Sequence, residues 1–459
     1  MTHSNSALSE LVGDGRLLQP DSIAGRATSY WNSAPMQARA LLLPGTTDEV
    51  ACILKYCNES AQSLITQGGL TNCVQAVEPN VDDIVLSTEK MSGIVDIDKV
   101  GGTAVVEAGA VLQTVQEAVA KEGFCFPLDL GARGSCTIGG NIATNAGGIN
   151  VLRYGMMRNL VLGLEAVMAD GTVMSSMNQM LKNNAGYDMK QVFIGSEGTL
   201  GVVTRAVLRL FPKPASRQDA LVAMDSIDSV IGLLGKLQRE LAGNLSAFEI
   251  MWGAYYQAVT GENGHRPPLS RDYPFYVVFQ AEGSDPDVDD ARFERVLGDA
   301  MEEGLISDAV IPKSATETRA IWEIRENFEP ALVKPPYYLY DVSLPIRDMA
   351  DYVSAVEEYV ARRWSDGMCL ALGHMADGNL HFFVAPGEDG DHHAASDACV
   401  YEPLRQYGGS ISAEHGIGLE KISWLPHSKS AEEIQMMRVL KQSLDPNNIL
   451  NPGRVVPER

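Results

Sequence analysis

Apolar residues come in short strand-like runs through the first 210 positions, and the rhythm changes after Pro212-Lys-Pro214. Leu41-Leu-Leu-Pro-Gly-Thr-Thr-Asp-Glu-Val50 reads as a strand, a turn and a helix start. Thr46 or Thr47 can cap that helix, and Asp48 and Glu49 fall in its first turn, where negative charge is favoured. The helix runs through Cys57, and Ser63–Thr66 predicts a strand entering Gln67-Gly-Gly69. Further strands are predicted at 82–87, 92–97, 103–108, 161–168, 172–175 and 202–211. Leu112, Val115 and Val119 recur at helical spacing and predict a helix over 111–122. Residues 1–40 predict only a short helix. From 215 onward, strands at 219–224, 245–250, 275–281 and 307–312 alternate with helical stretches at 227–241 and 288–303. This β-α-β, β-α-β order predicts an α+β fold with a ferredoxin-like antiparallel sheet and helices on one face. A strand at 338–344 and the segment 368–384 extend the sheet, and a last helix is predicted at 431–443.

The segment 368–384 carries chemistry as well as pattern. In G-H-M-A-D-G-N-L-H, residues 373–381, two apolar flanks enclose Asp377-Gly378, a strong signal for a two-residue hairpin loop. Counting outward, His374 falls opposite His381, and opposed side chains share one face with Cβ atoms ~5 Å apart. That separation suits two imidazoles on one metal ion. Glu414 and His415 follow in S-A-E-H-G-I-G. Two histidines and a carboxylate match the open, three-ligand pattern of a catalytic metal. The bland alternative is a hairpin with two exposed histidines.

Composition narrows the partners. The chain has 459 residues, 45% hydrophobic and 21% charged, as in multidomain globular proteins. A net charge of -23 argues against nucleic acid or an anionic membrane as the main partner. An anionic substrate therefore needs a local basic residue. The seven cysteines show no CxxC spacing, which predicts reduced thiols and a cytoplasmic location. No secretory signal and no apolar run long enough for a membrane span is evident.

Three glycine-rich loops in the first half predict a cradle for a large phosphate-bearing cofactor, because small residues let backbone amides approach a ligand. The first is Gln67-Gly68-Gly69-Leu70-Thr71-Asn72. The second opens with Pro127, Leu128 and Asp129 and continues through Gly131, Ser135, Thr137, Ile138, Gly139, Gly140 and Asn141 to Ala143, Thr144, Asn145, Gly147 and Gly148. The third, 194–204, includes Glu197, Gly198, Gly201, Val202 and Val203. No G-x-G-x-x-G follows a strand and opens a helix, so a Rossmann site is not indicated.

Taken together, the run 127–148 with Tyr154-Gly155 after it, G-Y-D-M-K-Q-V-F-I-G-S-E-G-T-L-G, G-H-M-A-D-G-N-L-H, A-E-H-G-I-G and L-D-P-N-N-I-L-N-P-G-R closely resemble the FAD-linked D-2-hydroxyacid dehydrogenases. These belong to the vanillyl-alcohol oxidase-type flavoproteins, and the nearest branches are the D-2-hydroxyglutarate dehydrogenases and the cytochrome-type D-lactate dehydrogenases. The resemblance implies a two-part FAD-binding domain at 1–214, a substrate-binding cap with the metal site at 215–420, and a C-terminal helical segment at 421–459 that returns to the FAD domain. It implies that the three loops, Tyr154, Gly155 and Asn451 hold FAD. Leu70 stands where covalent flavoproteins often have His, so the FAD is expected to be dissociable. His374, His381 and Glu414 match ligands of a divalent metal, usually zinc. His415 matches a general base, and Arg325 in Trp322-Glu-Ile-Arg325 matches a carboxylate-binding arginine. Arg325, His374, Asn379 and His381 form the expected substrate set.

The implied reaction is oxidation of a D-2-hydroxy acid to the 2-oxo acid, with His415 taking the hydroxyl proton as the C2 hydride passes to flavin. Three departures bear on it. Relatives commonly continue G-G-N-T-G-M-V-G-G, but this chain reads Gly68-Gly-Leu-Thr-Asn-Cys-Val-Gln-Ala76, where Asn72 is the residue best able to turn left-handed. Hydroxyglutarate-type enzymes carry Lys at the position of Leu339 and Asn at that of Phe383. Both changes remove partners for a distal carboxylate, whose burial is then costly. The favoured substrate is therefore a monocarboxylate with a short or apolar tail, such as D-lactate. Lys334 could replace the missing lysine, which keeps D-2-hydroxyglutarate and D-malate as alternatives. Different in class are a flavin-binding module without turnover and a metal hydrolase. The expected partners are an electron-transfer flavoprotein or a quinone as acceptor and a second copy in a homodimer.

Overall fold

Why each run of residues takes its form is clearest in the small first sheet. The structure, a computed structural model, describes residues 5–457 apart from 14, 242, 263 and 334. Ala40–Leu42 and Leu64–Gln67 both pair parallel with Ile84–Ser87, and Leu17–Leu18 closes the edge antiparallel. The three parallel strands are apolar without alternation, as strands buried on both faces must be. Leu42, Leu64, Ile84 and Leu86 meet Val50, Ile53, Leu54 and Cys57 of the helix Thr47–Glu59. Leu41, Leu43 and Val85 pack with Ile23 in a second cluster. Thr46 caps the helix by accepting from Glu49 N. A five-stranded antiparallel sheet follows, in the order Ile94–Asp98, Thr103–Glu107, Val202–Arg209, Val161–Val167, Val173–Ser176. The helix Leu112–Lys121 buries Leu112, Val115 and Val119, the three residues its spacing singled out.

The chain divides into two compact units. The first comprises Met1–Gly148, Gly155–Lys213 and Glu414–Arg459; the second comprises Ile149–Tyr154 and Pro214–Ala413. In the first unit the returning tail lies along Leu64–Gln67, with Leu64 N donating to Ile449 O and Asn451 N to Leu64 O. The second unit is built on a seven-stranded antiparallel sheet. Its order is Asp308–Val310, Ser216–Met224, Phe275–Gly283, Leu245–Trp252, Met368–His374, Asn379–Ala385, Tyr338–Ser343. The first four strands have the ferredoxin-like order expected from β-α-β, β-α-β, and the other three extend it.

Two expectations need correction. Helices cover both faces of this sheet, not one. Phe293 of Pro286–Glu302 packs on Phe279, and Tyr352 of Met349–Arg363 on Phe382, at one face. Tyr255, Tyr256, Ile321 and Trp322, from Gly253–Val259 and Ala315–Glu326, cover Met251, Leu372 and Phe383 at the other. The histidine hairpin also differs. Its loop is a four-residue 3-10 turn, Met375–Asp377 plus Gly378, and of these only Gly378 has positive φ. The two-residue turn needs positive φ at Asp377 too, and Met375 is instead drawn into the core. The register is therefore shifted by two: Leu372 faces His381, and His374 pairs across the sheet with Glu249. A shift of two preserves the face, so both histidines still point the same way.

None of the seven cysteines is in a disulfide. Among the described residues, no helix is long and apolar enough to cross a membrane.

Candidate active site

The second unit places its polar chemistry at one end of an otherwise apolar sheet face. His374 ends the strand Met368–His374, and its ring centre lies 5.1 Å from that of His381 at an interplanar angle of 82°. Each imidazole has a carboxylate behind it. His374 Nδ1 is 2.7 Å from Glu249 Oε1, and His381 Nδ1 is 3.7 Å from Asp341 Oδ1. Asp341 is fully buried and accepts from Asn379 Nδ2 at 2.8 Å and from Ala413 N at 3.0 Å. Glu414 and His415 are the next residues along the chain and open the last segment of the first unit. Asn379, expected to face substrate, spends its amide hydrogens on Asp341 and on Val342 O, which leaves Oδ1 as its unpartnered atom. Burial pushes the Asp377 carboxyl up to about 6, with Glu249 and Asp341 adding to the rise and His374 opposing it.

Arg325 lies in the last turn of Ala315–Glu326. Tyr255 Oη fixes that turn by donating to Arg325 O at 3.1 Å, and Trp322 Nε1 anchors the helix to Asp219 at 2.7 Å. The guanidinium is buried, and its Nε and Nη2 make no hydrogen bond. Nη2 lies 2.9 Å from Glu249 Oε2, an ion contact without hydrogen-bond alignment. A buried Arg with two unpartnered nitrogens has donor capacity left for an anion. Two histidines with carboxylates behind them have the donor chemistry of a zinc site. Leu339 and Phe383 are directly opposed on this same face, and Phe383 packs against the rings of Phe328, 4.8 Å away, and Tyr255. Tyr154 also belongs to this unit, with its hydroxyl 3.0 Å from Glu282 Oε2, while Gly155 belongs to the first.

In the first unit the glycine-rich loops pack on one another. A Cβ on Gly69 would overlap Ser135 O, so only glycine lets the first loop lie on the second. Thr137 caps the short helix Ile138–Thr144, which ends at Asn145 in the left-handed conformation. The third loop covers that end, with Gly195 N on Ile142 O and Glu197 N on Ala143 O. Asn451 clamps the tail here: Oδ1 accepts from Thr66 N, and Nδ2 donates to Glu197 O at 2.7 Å. Among the described residues, the N–H groups of Gly68, Gly69, Leu70 and Thr71 donate to no protein acceptor. Four adjacent open amides beside close-packed glycines fit a diphosphate-bearing cofactor.

The same unit holds the His415 segment. Glu197 is buried, which pushes its carboxyl up even though Ile417 N and Gly418 N donate to it at 2.7 and 2.8 Å. Asn72 Nδ2 donates to His415 O at 3.2 Å, and its Oδ1 caps Val74 N and Ala76 N. The left-handed residues of this loop are Leu70 and Gln75, not Asn72. Sequence reasoning missed Glu249 and Asp341 as site residues. Asp341 lies two positions after the flagged Leu339, but Glu249 is 125 residues from His374 and carries no local signal.

The chain matches the family described as "FAD linked oxidases, C-terminal domain" over residues 213–455 and "FAD binding domain" over residues 38–176. It is 40% identical over 458 residues to the Oryza sativa subsp. indica protein named "Probable D-2-hydroxyglutarate dehydrogenase, mitochondrial", covering 99% of this chain and 81% of that one. It is 38% identical over 460 residues to "D-2-hydroxyglutarate dehydrogenase, mitochondrial" of Bos taurus, covering 100% and 84%. Among solved structures, p-cresol methylhydroxylase with substrate bound is similar, with a TM-score of 0.77, 17% identity, and 99% and 97% of the two chains covered. That likeness concerns the fold, which is α+β of the vanillyl-alcohol oxidase type. The cytoplasmic expectation is corrected: both relatives are labelled mitochondrial, and free thiols do not distinguish one reducing compartment from another.

Proposed function

The chain belongs to the FAD-linked oxidases, and from that premise we propose that it oxidises a D-2-hydroxy acid to the 2-oxo acid. The observation that carries this reading is the buried Arg325, its Nε and Nη2 unpartnered, joined through Glu249 to His374, whose ring adjoins that of His381. On this reading the loops 67–72, 127–148 and 195–204 hold dissociable FAD, and His374, His381 and Glu414 hold a divalent cation, zinc by resemblance. When bound, FAD accepts the hydride from C2 and the cation makes the substrate hydroxyl more acidic.

Arg325 grips the substrate carboxylate through Nε and Nη2, a fork that matches two oxygens. This supplies the local positive charge that a chain of net charge -23 needs for an anionic substrate. His415 takes the hydroxyl proton on its imidazole, the side chain most often used as a general base. Asn72 and Glu197 hold the backbone on either side of that base. Resemblance supports an electron-transfer flavoprotein or a quinone as the oxidant that restores the flavin, and a homodimer as the working form.

The opposed Leu339 and Phe383 support a substrate with an apolar tail. A second reading is D-2-hydroxyglutarate or D-malate, and the names of the rice and cattle relatives favour the first of these. It requires a cation for the distal carboxylate, and Lys334 lies outside the described residues. Anaerobic mixing of flavin-loaded protein with each acid separates the readings. D-lactate and D-2-hydroxybutyrate are expected to bleach the flavin with kcat/KM at least about tenfold above that of D-2-hydroxyglutarate, since the wrong tail leaves a buried charge unpaired. The reverse order selects the second reading, and no bleaching by any acid leaves a flavin-binding module without turnover.

A further inference from the structure

We propose that Glu249 is a positioning residue that serves both the metal ligand His374 and the substrate-binding Arg325; this rests on the function proposed above. Glu249 sits mid-strand in Leu245–Trp252, among Phe248, Ile250 and Met251, and is 1% exposed. A buried carboxylate in an apolar sheet is costly unless it is paired and hydrogen-bonded. Its two oxygens are divided between two tasks. Oε1 takes the Nδ1 hydrogen of His374 at 2.7 Å, and Oε2 faces Arg325 Nη2 at 2.9 Å without an aligned hydrogen bond.

Each task has a chemical consequence. Accepting from Nδ1–H fixes the His374 tautomer with the lone pair on Nε2 and fixes the ring orientation, the usual role of a carboxylate behind a ligating imidazole. Facing Nη2 without an aligned hydrogen bond balances the Arg325 charge and leaves the Nε and Nη2 hydrogens unpartnered, the two a substrate carboxylate would take. Glu249 thus sets the geometry of the metal and of the substrate anion together, although it touches neither reacting atom.

The test uses the full-length, flavin-loaded protein with zinc. In wild type and Glu249→Gln, zinc affinity is measured by chelator competition, flavin content by absorbance, and KM and kcat at saturating zinc. The expected result for Glu249→Gln is zinc affinity weakened 10- to 100-fold with flavin content unchanged. Added zinc restores kcat to within a few-fold, while KM for the hydroxy acid stays raised about tenfold because Arg325 is no longer held. A folded Glu249→Gln protein whose zinc affinity and KM both stay within twofold of wild type overturns the proposal. Should Glu249→Gln not fold, 15N-histidine spectra of zinc-loaded wild type decide: His374 protonated at Nδ1 supports the proposal, and ligation through Nδ1 overturns it. Wild type that binds no zinc defeats the metal reading itself, whereas zinc-binding wild type with an indifferent variant defeats only the role of Glu249.

Discussion

Gln75 holds a φ of 58° although it carries a side chain, and that side chain is exposed. A left-handed non-glycine residue costs roughly 1–2 kcal/mol. Gln75→Gly is therefore expected to stabilise the first unit by about 1 kcal/mol and to raise its calorimetric Tm by about 2–4 °C. An unchanged or lowered Tm would mean that the loop relaxes at no cost. Gly418 is the opposite case in the same neighbourhood. Its φ is 52°, and a Cβ there would overlap Val74 O, so it has no tolerated replacement. The lost glycines of this loop were legible in the sequence, but the consequence was not. Asn72 was the natural candidate for the left-handed turn, and it serves instead as a side-chain cap for Val74 N and Ala76 N. A single chain does not reveal which of several replaced glycines had needed positive φ, because that depends on how the loop meets the 415–418 segment. Glu249 was invisible for a related reason. Its meaning comes from a strand register 125 residues removed from His374.

Elements with strong periodicity were legible to within a residue or two. The helix read over 111–122 spans Leu112–Lys121, and the one read over 431–443 spans Ala431–Leu444. The helix Ile138–Thr144 was hidden by its glycines, whose intrinsic preference opposes helix; its ends are held by the Thr137 cap and by the third loop. One strand carries a prediction. Val161–Val167 presents Glu165, whose Oε1 accepts from Thr47 Oγ1 at 2.7 Å, Thr204 Oγ1 at 2.9 Å and Arg205 Nε at 2.8 Å. This carboxylate ties the first turn of Thr47–Glu59 to the five-stranded sheet. Burial pushes its pKa up, but the bonds from Arg205, Thr47 and Thr204 outweigh burial and hold it at about 2, below the ordinary 4.5. A folded pKa below the unfolded one means that the unfolded chain binds the proton more readily. The stabilisation is therefore complete above about pH 4.5 and is lost as pH falls towards 2. Glu165→Gln is expected to lower the urea midpoint at pH 7 and to flatten its fall between pH 4.5 and 3. Parallel pH profiles for variant and wild type would remove Glu165 from the account.

At the scale of the whole molecule, the candidate residues are divided by unit. The flavin loops, Glu414 and His415 belong to the first, while His374, His381, Arg325 and Glu249 belong to the second. The supports of the two groups are likewise separate. The flavin loops rest on one another through Gly69, Asn145, Glu197 and Asn451, and the histidines rest on Glu249 and Asp341. Cofactor retention and metal retention should therefore separate experimentally. Exhaustive chelation is expected to leave the flavin spectrum and its stoichiometry unchanged while the rate of anaerobic flavin reduction by D-lactate falls at least about 100-fold, because the acidified hydroxyl is lost. Returning zinc should restore that rate. Loss of flavin in parallel with zinc would mean that the two sites depend on a common support, and an undiminished rate of reduction would remove the metal from the chemistry and leave His415 and Arg325 to carry it.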